Sequence, residues 1–213
     1  MNTRLGRWLV SAALLGLALL FAVFAWHKTQ LRLAERAFDR WVADASAHNF
    51  QRAQNLLDSL GRLPDPAADW LRVRWLLAQR PDDPGVPPLL DRLEASRPFD
   101  YRPATARVRW LVAAGADDAE LAAAFAAAIA KGPNESRVFA LLFPLARLHW
   151  HRLPGATRQL IDDLALRTAV REPDLVIELG RDYGYGGVLC AASTQLALAQ
   201  RACRRLGIEG DTP

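Results

Sequence analysis

The residues of this chain that could carry chemistry are four histidines, two cysteines and three adjacent aspartate pairs. His149 and His151 stand two residues apart on an expected helix. They therefore point in different directions and do not share a metal ion. They read as surface or interface histidines. The pairs Asp82-Asp83, Asp117-Asp118 and Asp162-Asp163 have no histidine or serine at catalytic spacing beside them. Two pairs fall in turns and one on an exposed helix stripe, so they read as helix starts and solvated faces. Gly180 to Gly187 is glycine-rich but lacks the Lys-Ser/Thr of a phosphate loop. Neither GxSxG nor HExxH occurs. No enzyme, cofactor or metal site is expected on this pattern.

Cys190 and Cys203 form no CxxC and no Cys/His cluster of zinc spacing. On one straight helix they would stand about 20 Å apart, too far to bond. A break at Ala191-Ala192-Ser193-Thr194, where a new helix can be capped, would let them meet. They are a candidate disulfide with both alternatives open.

The elements that hold these residues are set by the run Trp8 to Trp26, WLVSAALLGLALLFAVFAW, which carries no charge. As a helix it spans about 27 Å, close to the hydrocarbon core of a bilayer. A tryptophan closes each end, where an indole buries its ring and keeps its N–H near the headgroups. Arg4 and Arg7 flank one side, and His27, Lys28 and Arg32 the other. Two rival readings are a cleaved signal peptide, with Val23-Phe24-Ala25 as the cut, and a buried core helix. The run exceeds the apolar centre of a signal peptide, which favours a retained anchor. Ala12/Gly16 and Ala18/Ala22 give small-residue spacing of the kind that lets membrane helices approach.

Residues 1–7 are then expected as a short cytoplasmic tail and 8–26 as the transmembrane anchor. A helical-repeat domain follows over 30–207, and 208–213 is a disordered tail. A short leader before the run resembles an uncleaved signal anchor, which exports the domain. The charges on the two sides do not themselves decide the orientation. The expected address is a bacterial inner membrane, with the domain in the periplasm.

The formal net charge is +4, from 27 basic and 23 acidic residues. The arginines alternate with acids, as in Asp91-Arg92 and Arg181-Asp182, rather than forming blocks. That is the pattern of solvated helix faces and not of a nucleic-acid surface.

Beyond the anchor the pattern is helical. Leu31, Ala34, Phe38, Trp41 and Val42 recur at helical steps over Gln30 to Ala47. No Gly or Pro parts this helix from the anchor. A second helix is expected from about Phe50 to Leu60, with Ala53, Leu56, Leu57 and Leu60 on one stripe and Gly61 and Pro64 stopping it. Arg72-Val-Arg-Trp-Leu-Leu-Ala78 then recurs as Arg107-Val-Arg-Trp-Leu-Val-Ala113, and Pro98 recurs as Pro133. The offset of about 35 residues resembles a tetratricopeptide array, in which paired helices stack because one pair cannot bury its own apolar face. On that pattern Trp70, Leu90, Leu93 and Pro98 fall on the large-residue and proline positions. Phe125, Ala128 and Pro133 do so in the next unit. Arg74 and Arg109 stand where a small residue belongs.

The expected units are 31–62, 67–96 split by Pro81-Asp-Asp-Pro84, and 102–131 turning at Gly115-Ala-Asp-Asp. A helix capped by Asn134 runs to about Trp150, kinked by Pro144. Helices over Ala156 to Arg171 and from Pro173 to about Arg181 follow. Tyr183 to Gly187 turns into a last helix ending at Leu206. The fold class is all-α: one transmembrane helix followed by an α-solenoid of degenerate tetratricopeptide-like pairs. Trp75, Trp110 and Trp150 are expected to pack in the core.

Gly132-Pro-Asn-Glu-Ser-Arg-Val138, Trp150-x-x-Leu153, Pro173 and a terminal segment with Cys190 complete the picture. With the membrane helix and degenerate repeats, this layout resembles the VpsP-type polysaccharide biosynthesis proteins. These are small membrane-anchored proteins of bacterial exopolysaccharide synthesis and export. The resemblance implies a process and an envelope address, not a reaction. The expected role is a non-enzymatic scaffold that holds protein partners of that machinery. The alternatives are an adaptor of another envelope machine, such as secretion or pilus assembly, and a glycan-acting enzyme.

Overall fold

The computed structural model describes residues 2–61 and 65–184. Among these residues there are nine α-helices, one 3-10 turn and no strand. The helices are α1 (Asn2–Ala43), α2 (Ala47–Ser59), α3 (Pro66–Gln79), α4 (Val86–Ser96), α5 (Tyr101–Ala114), α6 (Asp118–Lys131), α7 (Ser136–Leu148), α8 (Gly155–Arg171) and α9 (Pro173–Asp182). The 3-10 turn is Trp150–Arg152. Two compact units divide the chain, residues 1–75 and 76–213, with the border inside α3. Cys190, Cys203, the expected last helix and the tail at 208–213 lie outside the described residues.

In the first unit α1 is one unbroken helix of 42 residues. Its apolar part is exposed, from Trp8 and Leu14 through Phe24 and Trp26. The segment Ser11–Ala43 contains a stretch of mean hydropathy 1.6, long and apolar enough to cross a membrane, and that stretch is 0% buried. Burial begins at Leu31 and continues at Ala34, Ala37 and Phe38. One helix thus changes surroundings without changing geometry, since no Gly or Pro stands between Trp26 and Leu31.

The helix ends earlier than the sequence pattern suggests. Ser46 adopts an extended backbone (φ −69°, ψ 149°) and its side chain accepts from the Asn49 N–H, which starts α2 at Ala47. Val42, expected on the buried stripe, is exposed because the chain turns away there. Trp41 packs on Phe50 beside that turn, with ring centroids 5.7 Å apart. Leu57 and Leu60 at the other end of α2 are buried, so α2 runs back along α1. Trp75 of α3 then joins Phe38, Trp41 and Phe50 at centroid distances of 6.2, 4.9 and 5.2 Å. Arg74, the large residue at a small-residue position, lies 4.5 Å over the Phe38 ring and donates to Asp39 at 2.9 Å. It spans to the neighbouring helix where a small residue would let the backbones close.

In the second unit α4 packs on α5, and each helix from α5 to α9 packs on the next. Helices two apart, α5 with α7, α6 with α8 and α7 with α9, also pack together. Their shared core holds Val108, Leu111, Leu121, Phe125, Phe139, Phe143, Ile161, Leu164 and Val176. The pattern positions Leu90, Leu93, Phe125 and Ala128 are all buried. Two glycines fix the joints. Gly115 is left-handed (φ 71°) and closes α5 through an Ala116 N–H to Leu111 C=O bond of 3.0 Å. A Cβ on Gly132 would stand 2.6 Å from Val138 Cγ2 and 3.1 Å from Tyr101 Cβ, so the chain passes too close there for a side chain.

α7 starts one residue later than expected, from Glu135, which makes no side-chain cap bond. Asn134 does not act as the cap; its carbonyl instead accepts from Arg171 Nη1 at 2.7 Å. Pro144 lies inside α7 without ending it.

Candidate functional site

The join between the apolar helix and the first unit is built around Asp65. Its Oδ2 stands 2.8 Å from His27 Nε2 and 3.3 Å from Lys28 Nζ, while its Oδ1 accepts from the Ala67 N–H at 2.8 Å. Burial acts to raise the Asp65 pKa, but the Ala67 amide, His27 and Lys28 together hold it below the ordinary carboxylate value. His27 and Lys28 directly follow Trp26. The bonds therefore tie the foot of the polar half of α1 to the first residues of α3.

Above this tie, α1 and α2 leave an open groove of about 320 Å³ lined by Leu33, His48, Gln51, Arg52, Asn55 and Leu56. Gln51 Nε2 donates to Asn55 Oδ1 at 3.0 Å across one turn of α2. Leu56, assigned by spacing to the buried stripe, is half-buried and forms part of this groove.

The residues singled out by type are dispersed. His149 ends α7, and burial followed by the charges of Arg152 and His151 lowers its pKa. His151 is exposed in the next turn. Asp117 caps α6, accepting from the Glu120 N–H at 2.7 Å, and Asp118 accepts from Arg152 Nε at 2.8 Å. Asp83 accepts from Arg80 at 2.6 Å and from the Gly85 N–H at 2.8 Å, and these bonds lower its pKa. Asp117 thus acts at a helix start, whereas Asp83 braces the turn before α4, whose N-cap Gly85 makes no side-chain cap bond. Asp162 departs from the expected solvated stripe: it is half-buried, and burial followed by Asp163 raises its pKa against the pull of Arg147. Among the described residues, no group of three or more His, Cys, Asp or Glu is placed to hold a metal ion.

The tryptophans divide. Trp75 is 8% exposed, in the aromatic knot. Trp110 is half-buried and donates its indole N–H to Asp83 C=O at 3.0 Å. Trp150 is half-buried between the guanidinium groups of Arg147 at 5.1 Å and Arg158 at 5.8 Å. Arg109, the counterpart of Arg74, donates to Leu77 C=O at 3.2 Å.

Sequence reasoning missed the Asp65 tie and the groove. The tie joins positions 38 and 37 residues apart, which no local pattern records. The groove had one signal: Leu33 and Leu56 are apolar residues at the margins of their stripes. Compared with family models, curated proteins and solved structures, the chain matches none of them.

Proposed function

We propose that this chain is a membrane-tethered, non-enzymatic scaffold that holds a protein partner close to the bilayer. One observation carries the reading: α1 passes without a break from an exposed apolar half into the buried core of the first unit. A helix of that kind transmits position, because it leaves no hinge between the anchor and the surface it presents. The Asp65 tie stiffens the same joint. A short link to the membrane raises the local concentration of a membrane-bound partner into the millimolar range.

Three features support the tetratricopeptide-like part of the reading. The seven-residue sequence repeat is one. Packing of each helix from α5 to α9 on the next and the next but one is the second. The third is the recurrence of polar contacts about one period apart. Arg74 reaches Asp39 over 35 residues, Arg152 reaches Asp118 over 34, and Arg167 reaches Pro133 over 34. Such spacing is what a stack of helix pairs produces, since a residue meets its counterpart in the neighbouring pair. The assignment to exopolysaccharide synthesis or export, and the inner-membrane and periplasmic placement, rest on the sequence resemblance and the anchor-like leader.

The test is to sever the tether. A strain making the domain from residue 30 onward, exported and as abundant as the full chain, should produce less exopolysaccharide than one making the full chain. Single changes His149→Ala, His151→Ala and Asp163→Ala should leave output near the wild-type level. Full output from the untethered domain would overturn the scaffold reading. Abolition of polymer by one of those substitutions, at unchanged protein level, would replace it with an enzyme. Unchanged polymer after deletion of the whole gene would move the scaffold to another envelope machine.

A further inference from the structure

We infer that the groove between α1 and α2 binds an acidic, amphipathic helical segment of a membrane-protein partner, just outside the bilayer. The inference rests on the tethered-scaffold reading and names the surface that would do the holding.

The groove has an apolar floor and a cationic rim. Leu33 faces Leu56, and His48, Arg52, Gln51 and Asn55 complete the lining. Arg36 and Arg40 follow Leu33 by three and seven residues, so they stand on the same face of α1. Both are exposed, as is Arg52. The side chains of Arg36, Arg40 and Arg52 make no hydrogen bond or ion pair among the described residues. The acids nearby are largely engaged: Asp39 takes Arg74, and Asp44 takes the Asn49 amide. Glu35 is half-buried on α1, and Asp58 lies on α2 beyond Leu56, toward the membrane end. Three free guanidinium groups therefore stand along an apolar slot. They match a ligand with carboxylates beside an apolar side chain.

Height decides what kind of ligand reaches them. Counted along α1 from Trp26, Leu33 stands about 10 Å out, Arg36 about 15 Å and Arg40 about 21 Å. The headgroup layer extends only about 5–7 Å beyond the hydrocarbon core. The attraction of an anionic surface fades over about 8 Å at physiological salt. Lipid headgroups thus meet Lys28 and Arg32, their attraction fades by about the height of Arg36, and Arg40 stands beyond it. From Leu33 to Arg40 the slot is about 10 Å long, two turns of a helix. An acidic helix rising from the membrane beside α1 fits both the height and the charge.

The experiment uses the full chain in its own membranes, with a photo-crosslinking phenylalanine analogue in place of exposed Gln51. Membrane retention is read by flotation before irradiation. Irradiation should join the groove to one protein, and sequencing of the joined peptide should find Asp or Glu interleaved with apolar residues at helical spacing. Arg36→Glu with Arg52→Glu should cut the yield about tenfold, since two attractions become two repulsions. Changing the partner's acids to lysine should restore the yield in that double variant. The milder pair Arg36→Gln and Arg52→Gln should give an intermediate loss. Crosslinks to lipid alone would overturn the inference in favour of a bilayer contact. A protein adduct indifferent to charge reversal, or no adduct from a membrane-retained chain, would also overturn it. A chain that fails to float with membranes would instead refute the tether, and the inference would fall with it.

Discussion

Trp75 and Trp110 occupy the same place in the seven-residue repeat, yet their surroundings differ enough to predict unequal costs of removal. Trp75 is 8% exposed and touches Phe38, Trp41 and Phe50 within 6.2 Å of ring centroid. Deleting a buried tryptophan side chain costs about 3–5 kcal/mol through lost transfer energy and the cavity left behind. Trp110 is half-buried and makes one indole bond to Asp83 C=O. Its removal should cost about 1–2 kcal/mol, from partial burial and one hydrogen bond. At about 2–4 °C per kcal/mol for a chain of this size, Trp75→Ala should lower the melting temperature by about 6–20 °C and Trp110→Ala by about 2–8 °C. Circular dichroism of the full chain in detergent micelles reads the size of each effect. Hydrogen exchange reads its place: Trp75→Ala should deprotect α1 beyond residue 30 and α2, whereas Trp110→Ala should deprotect α5 and the turn at Asp83. Equal losses, or deprotection of α5 by Trp75→Ala, would refute the aromatic knot as the core of the first unit.

Gly132→Ala should destabilise by about 1–3 kcal/mol, because the new methyl meets Val138 Cγ2 at 2.6 Å. In the Gly132→Ala/Val138→Ala double variant the coupling should be favourable, since the obstructing methyl is gone, and a double-mutant cycle on thermal melts checks it. Two of the perturbed carboxylates, Asp65 and Asp162, predict opposite pH effects. Asp65 is held below its ordinary 3.8 in the folded chain, so the unfolded chain takes up the proton first. Its contribution is full above that value and is lost as pH falls through the folded pKa; Asp65→Asn should flatten the acid limb of the stability curve. Asp162 is held above 3.8, so its folded form keeps the proton longer and stability falls as pH rises through the folded pKa. Asp162→Asn should therefore remove a decline in stability above pH 4, read from melts across pH 3 to 8.

Much of the fold was legible because Gly and Pro mark the joints. Gly61, Pro81 to Pro84, Gly115, Pro154 and Pro173 all lie at or beside observed helix boundaries, each for a local backbone reason. The end of α1 had no such mark. Ser46 is a good cap residue, but nothing local shows that the chain takes an extended backbone there. Glu135 precedes α7 in place of the better cap Asn134, whose carbonyl accepts from Arg171 of another helix. The unequal burial of Trp75 and Trp110, the half-buried state of Asp162 and the Asp65 tie also depend on neighbours distant in sequence. Periodicity finds the stripe that faces a partner but not how completely the partner covers it.

The scaffold reading requires a retained membrane helix continuous with the domain. A cleaved leader would have the same length and hydropathy, so the mature N-terminus separates the two. The protein should remain in membranes washed with alkaline carbonate, and its intact mass after detergent extraction should include the run Trp8 to Trp26. A mature chain beginning near Trp26, released by the wash, would contradict the account.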